Sequence, residues 1–207
     1  MRKWFWAMGA VVVVLLVALG LQLMRPAACK PVDAATLTPV EAQQALAERA
    51  TAAVGALQRK DWEQLSGMVH PEKGVRFSPY AHVGQTDLVF TAAQLKTLYA
   101  DKRPYDWGTF DGSGEPIQLS FADYYQRFVY DVDFAAAPKV AYNEAIGKGN
   151  TINNSREFYP QAAVVEYHFP GIDPKYEGMD WRSLRLVFEQ KDCTWYLVGI
   201  IHAQWTI

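Results

Sequence analysis

The side chains able to do acid–base or nucleophilic chemistry are few and scattered. There are four histidines, His70, His82, His168 and His202, and two cysteines, Cys29 and Cys193. No HExxH helix occurs, and no close grouping of Cys, His and Asp, so no metal site is expected. No GxSxG elbow is present. The GSG at 112–114 is followed by Glu115-Pro116 rather than Lys-Ser/Thr, which rules out a phosphate loop. Asp111 to Glu115 carries oxygen ligands at alternate positions, as calcium loops do. Pro116 stands where such a loop requires Gly, and its twelfth position lacks the Glu. Nothing here asks for a cofactor. His202 draws most chemical interest, because an imidazole beside a carboxylate acts as a general base near neutral pH. The competing reading is a histidine that packs and hydrogen-bonds on a half-buried face, so the chain offers His202 as a single catalytic candidate and no constellation. Five residues are candidates for ligand binding. Arg185 and His202 share a strand face. Asp106, Trp107 and Asp111 fall in the aromatic- and acid-rich stretch DKRPYDWGTFDGSGEPI at 101–117, which reads as a long loop of the kind that carries binding sites. The alternative for that loop is that its tryptophan plugs the end of the core.

The elements that must position these groups begin at the N-terminus with a targeting or anchoring segment, residues 1–30. Arg2 and Lys3 precede an uncharged run from Trp4 to Met24, long enough as a helix to span roughly 30 Å of hydrocarbon. An uncleaved signal anchor, a lipoprotein signal with Cys29 after Ala27-Ala28, and a secretion signal cleaved near Val32–Ala34 compete for it. All three put the body outside the cytoplasm, tethered to the membrane in the first two. Three of the 20 basic residues and none of the 22 acidic ones lie in the first 28 positions, so the remainder holds 17 against 22, a net charge of −5. A mildly acidic body without a Lys/Arg cluster speaks against nucleic-acid binding. Residues 31–38 read as a linker, and 39–207 as one domain of a size that buries a sizeable core.

Within that domain, Thr38-Pro39-Val40-Glu41 has the capping-box pattern, and apolar residues from Ala42 to Leu57 recur at helical spacing. A short helix follows Asp61, another follows Thr91, and Ser120 caps one whose stripe is Phe121, Tyr124, Tyr125, Phe128 and Val129. From Lys139 the period changes to two, predicting strands near 139–146, 162–169, 182–190 and 195–206. Helices first and a meander after predict an α+β domain, its N-terminal helices packed on one face of a curved antiparallel sheet. With Asp192-Cys193 as the turn of the last hairpin, Leu184 faces Ile201, Leu186 faces Gly199 and Phe188 faces Leu197, an apolar face for the helices. The other face pairs Ser183 with His202, Arg185 with Ile200 and Val187 with Val198, which sets Arg185 diagonal to His202. A half-apolar outer face of this kind suits a ligand or a second copy of the chain. Cys193 sits in the turn, and a Cys29–Cys193 disulfide outside the cytoplasm requires the linker to fold back.

A long first helix, the segment DWEQLSGMVHPEKGVRFSP and a terminal meander ending WYLVGIIHAQWTI resemble the nuclear-transport-factor-2-like cone. More narrowly, WGTFDGSGEPI, FVYDVDF, GKGNTINN, VVEYHFPG and MDWRSLRLVF resemble a family of exported bacterial proteins found in Gram-positive spore formers. That family brings no established activity. The wider fold includes ketosteroid-isomerase-like and dehydratase-like enzymes, which need an Asp or His inside the cone, and many domains that only bind or dimerise. With the apolar face inward, the expectation is a membrane-tethered extracytoplasmic domain that is not an enzyme and binds a small ligand, an envelope component or a partner protein. An isomerase, dehydratase or hydrolase using His202, and a homodimeric structural module, are the alternatives.

Overall fold

The computed structural model describes residues 32–206. The run from Trp4 to Met24 and Cys29 lie outside the described residues, and with them the anchor and lipidation readings. Among the described residues no helix is long and apolar enough to cross a membrane.

Helix α1 is Pro39–Arg59. Thr38 and Glu41 satisfy each other's backbone N–H groups in a complete capping box, with Pro39 opening the helix. Lys60, in the left-handed region at φ 57°, ends it. Its buried stripe is Ala42, Leu46, Ala50, Ala53, Val54 and Leu57. Helices α2 (Trp62–Ser66) and α3 (Ala92–Leu98) are capped by Asp61 and Thr91. Helix α4 (Phe121–Phe128) is capped by Ser120 and buries the predicted aromatic stripe. The short α5 (Ser155–Phe158) precedes the last three strands. The strands are β1 (Val75–Ser78), β2 (Val89–Phe90), β3 (Tyr105–Thr109), β4 (Pro116–Leu119), β5 (Lys139–Tyr142), β6 (Ala163–Phe169), β7 (Arg182–Lys191) and β8 (Thr194–Gln204).

Six strands form one sheet in the order β2-β1-β8-β7-β6-β5, and β3-β4 form a separate hairpin. The α+β class follows the sequence reading, and β8 lies inside the sheet between β1 and β7. The purely antiparallel sheet does not, because β1 runs parallel to β8. Short strands with mixed burial at 75–90 gave no period to read. The stretch 101–117 is not a loop: β3 and β4 pair, and the buried Trp107 anchors them by stacking on Tyr124 at 3.7 Å and donating Nε1–H to the Leu119 carbonyl. The linker reading also changes from residue 33 on. Ala34–Thr36 make a 3-10 turn with Ala34 fully buried, and the Asn143 amide donates to the Ala34 and Leu37 carbonyls.

The decisive departure is in the last hairpin. Asp192 and Cys193 do form the turn, both left-handed at φ 47° and 66°, and Lys191–Phe188 pair with Thr194–Leu197 as expected. Val187 then pairs with Gly199, leaving Val198 as the extra residue of a β-bulge. Every later pair slips by one: Leu184 faces His202, Ser183 faces Ala203 and Arg185 faces Ile201. A one-residue slip moves side chains to the other face of the sheet. His202 therefore joins Leu184, Leu186 and Ile200 on the helix side, while Arg185 stays outside. Nor is the outer face open. Val83, Tyr159 and Ala162 pack on Val187, Val198 and Ile201, and Trp181 with Ala81 packs on Ala203.

Candidate functional site

Three places in the described residues bring chemically able side chains together. The first is inside, between α4 and β8. His202 is fully buried, its ring edge-on to Phe128 at 5.9 Å. Its Nε2 lies 3.2 Å from Asp131 Oδ1, and Asp131 Oδ2 accepts from Arg182 Nε at 2.8 Å. The His202 contact is an ion-pair distance without hydrogen-bond alignment, and His202 Nδ1 has no partner either. Burial works to raise the Asp131 carboxyl, but His202 and Arg182 outweigh it and hold the group below the usual carboxylate range. The pair is thus a buried imidazole beside a held carboxylate, which is what a general base requires. It lines none of the clefts described below.

The second place is the covered outer face. Glu166 on β6 and Arg185 on β7 are cross-strand partners. Arg185 Nε stands 3.1 Å from the Glu166 carboxylate, and its Nη2 donates to the Gly147 carbonyl at 2.9 Å. The carboxylate also accepts from the backbone N–H groups of Ile146 and Gly147 and from Ser183. Desolvation pushes the Glu166 carboxyl up, and Arg185 with the donated hydrogen bonds brings it below its ordinary value. Ser183 and His168, 2.8 Å apart, look like a nucleophile and its base. Their wiring is wrong for that. Ser183 donates its own proton to Glu166, so it accepts from His168, whose Nδ1 must then carry hydrogen. Burial holds the His168 imidazole below its usual value. A cleft of about 110 Å³ reaches Arg185, beside Asn143, Asn153 and Arg156.

The third place is a surface groove at the β3–β4 hairpin. One cleft, about 510 Å³, is lined by His82, Asp87, Trp107 and Thr151 among others; a second, about 410 Å³, by Glu115, Arg127, Gln204 and Trp205. Tyr80, Phe110 and Asp111 belong to both. Asp111 donates its backbone N–H to the Tyr80 hydroxyl at 3.0 Å, which ties the two loops together. The Arg127 guanidinium lies over the Phe110 ring at 5.0 Å. Burial pushes the Asp87 carboxyl above its usual value against the pull of Ser78 and Gly84, which both donate to it. A further cleft of about 380 Å³ near Tyr159 is lined by Lys73, Arg76 and Glu189. Its cations are committed, Lys73 to Glu189 and Arg76 to three backbone carbonyls.

Of the five residues singled out from sequence, the structure brings Trp107 and Asp111 to one cleft. Asp106 is exposed and accepts from the Gly108 N–H. Arg185 and His202, expected as neighbours, lie on opposite faces of the sheet. Tyr80, Arg127 and Trp205 were missed, because they lie far apart in the sequence and only the fold brings them to the hairpin. Asp131 was missed as well, because nothing in the sequence marks the bulge that delivers His202 to it.

No protein-family model matches the chain, and no curated protein matches it. Among solved structures, a designed nuclear-transport-factor-2-like protein is 12% identical with a TM-score of 0.34, covering 78% of this chain and 97% of its own. A protein from Xanthomonas campestris described as a calcium/calmodulin-dependent protein kinase II association domain is 13% identical with a TM-score of 0.32, covering 88% of this chain and 98% of its own. At this level neither likeness carries an argument about activity or partner.

Proposed function

We propose that this protein is an extracytoplasmic binding domain of the nuclear-transport-factor-2-like cone type, belonging with exported bacterial proteins and tethered through residues 4–24. It holds a small ligand or a segment of an envelope component in the groove around Tyr80, Phe110 and Asp111, and does not turn it over. The carrying observation is that two clefts of about 510 and 410 Å³ share one aromatic wall. Large concave sites with a few convergent polar groups are where small molecules bind. The location is supported by the apolar N-terminal run and by Cys193, which is disulfide-bonded. A thermal-shift screen of defined sugars, peptides and lipids against the wild type and Tyr80→Ala/Phe110→Ala tests the groove. Stabilisation lost in the double variant supports it; stabilisation that survives there overturns it.

One observation favours a second reading. His202 and Asp131 form an imidazole–carboxylate pair on the helix side, where enzymes of this architecture place their base. Substrate turnover abolished by His202→Ala, in a variant that keeps its folded near-ultraviolet spectrum, would establish that reading and displace the first. The homodimer alternative loses its original motive, since the face that suggested it is covered within the chain.

A further inference from the structure

We infer that the groove takes an oligosaccharide of uncharged or amino sugars, its rings spread across the two clefts. The inference rests on the reading of that groove as the binding site. Sugar rings present an apolar C–H face and a polar rim. A site for them needs flat aromatic surfaces held still, flanked by groups that both donate and accept.

Phe110 packs on Phe128 at 6.1 Å and lies under Arg127 at 5.0 Å. Tyr80 meets the same Phe128 edge-on at 5.6 Å, with its hydroxyl tied to the Asp111 N–H. Trp205, just past β8, is 41% exposed and lines the second cleft. Trp205 offers the exposed ring, and Tyr80 and Phe110, fixed against Phe128, form the rigid wall beside it that both clefts share. The flanking groups serve both halves. Thr151 and His82 stand in the first cleft, and Glu115, Arg127 and Gln204 in the second. Amide, hydroxyl, carboxylate and guanidinium together match a rim of hydroxyls, which donate and accept in turn.

Charge narrows the class. Among the described residues the two clefts are lined by Asp87, Asp111 and Glu115 against Arg127, and Asp87 and Glu115 alone outnumber the one guanidinium. An excess of carboxylates repels polyphosphates and uronic-acid polymers and leaves neutral or amino sugars favoured. The turn between β3 and β4, residues 110–115, is exposed except at Phe110, so the clefts stay open to water along that side, as a ligand with a polar rim requires. That turn is closed by paired bonds, Phe110 N–H to the Glu115 carbonyl and Gly114 N–H to the Phe110 carbonyl, with Gly114 at φ 70° where only glycine sits without strain. The platform therefore exists before ligand arrives, which spares the ordering cost of binding.

The test titrates the full-length chain in detergent with tetra-N-acetylchitotetraose, cellotetraose and tetragalacturonate, following tryptophan fluorescence and calorimetric heat. Saturable binding of the first or second is expected, with tetragalacturonate at least about tenfold weaker. Losing the Trp205 ring should weaken binding about tenfold, the equivalent of about 1.4 kcal/mol. Trp205→Ala is at the surface, and Glu115→Gln tests the rim without touching the core. No saturable binding of either uncharged tetramer at concentrations on the order of 10 mM, an affinity too weak to count as recognition, overturns the inference. So does binding that Trp205→Ala and Glu115→Gln both leave unchanged. A peptide or lipid whose stabilisation needs Tyr80 and Phe110 would sink the sugar class and keep the groove. A sugar whose binding ignores the groove variants would sink both.

Discussion

Arg185→Met is the perturbation with the most calculable outcome. Arg185 is 1% exposed and its partner Glu166 is fully buried. Removing the guanidinium leaves a carboxylate in the interior with only Ser183, Ile146 and Gly147 as donors. Breaking a buried ion pair from one side costs about 3–5 kcal/mol. At roughly 2–4 °C per kcal/mol for a domain of this size, the melting temperature should drop by about 6–20 °C. The pH dependence gives the mechanism away. In the wild type Glu166 is held below its ordinary pKa. The stability it contributes is then full above the usual carboxylate range and is lost only as pH falls through the depressed value. Between pH 5 and 8 it adds no slope. In Arg185→Met the opposing charge is gone and burial drives the carboxyl up. The folded state then binds a proton that the unfolded state has released, so stability falls as pH rises. The deficit should grow from pH 5 to pH 8, as read by thermal unfolding followed by circular dichroism. Adding Glu166→Gln, whose amide oxygen still accepts from Gly147, should restore more than half of the loss at pH 8 and remove the slope. A deficit under about 1 kcal/mol, or one equal at the two pH values, would refute the account.

Three further outcomes follow from the packing of other buried groups. Burial holds His168 and His70 below their ordinary pKa, so the stability they give is full above about pH 6.5 and is lost as pH falls, by up to about 1.4 kcal/mol per pH unit for each proton. His168→Asn should flatten urea-unfolding stability between pH 7 and 5, and an unchanged slope would clear His168 of any part in it. A Cβ on Gly199 would stand 3.0 Å from the Tyr159 hydroxyl and 3.1 Å from Val187. Gly199→Ala should therefore cost about 1–3 kcal/mol, partly recovered by Tyr159→Phe in chemical denaturation. Trp107→Ala should cost about 3–5 kcal/mol as a core truncation, whereas the exposed Asp106→Ala should stay within about 0.5 kcal/mol; equal losses by calorimetry would contradict the placing of Trp107.

The helices were legible because their signals are local. Thr38 and Glu41, Asp61, Thr91 and Ser120 each cap a helix with groups three residues apart. The four C-terminal strands were legible because β-branched residues alternate there. What failed was long-range. β1 gains its place by pairing with β8 more than a hundred residues later, and β3 and β4 are held by a tryptophan stacked on another element. The candidate groove was half visible. Trp107, Asp106 and Asp111 pointed to the right hairpin, but Tyr80, Arg127 and Trp205 reach it only through tertiary structure.

The bulge at Val198 shows how little separates the two functional readings. Without it, His202 would stand on the outer face near Arg185, Asp131 would lack its imidazole, and the helix side of the last hairpin would be wholly apolar. With it, a titratable pair is buried beside Phe128 and linked to Arg182. Burying an imidazole with an unpartnered Nδ1 is costly, and the apolar alternative was one residue of register away. Asp131 and Arg182 offset part of that cost, which marks the pair as stable enough to persist without any reaction to perform. A buried pair that can stand on its own ion contacts, and that lines none of the four clefts described above, weighs toward a structural role for His202. That leaves the aromatic groove on the surface as the site to test first for the proposed ligand.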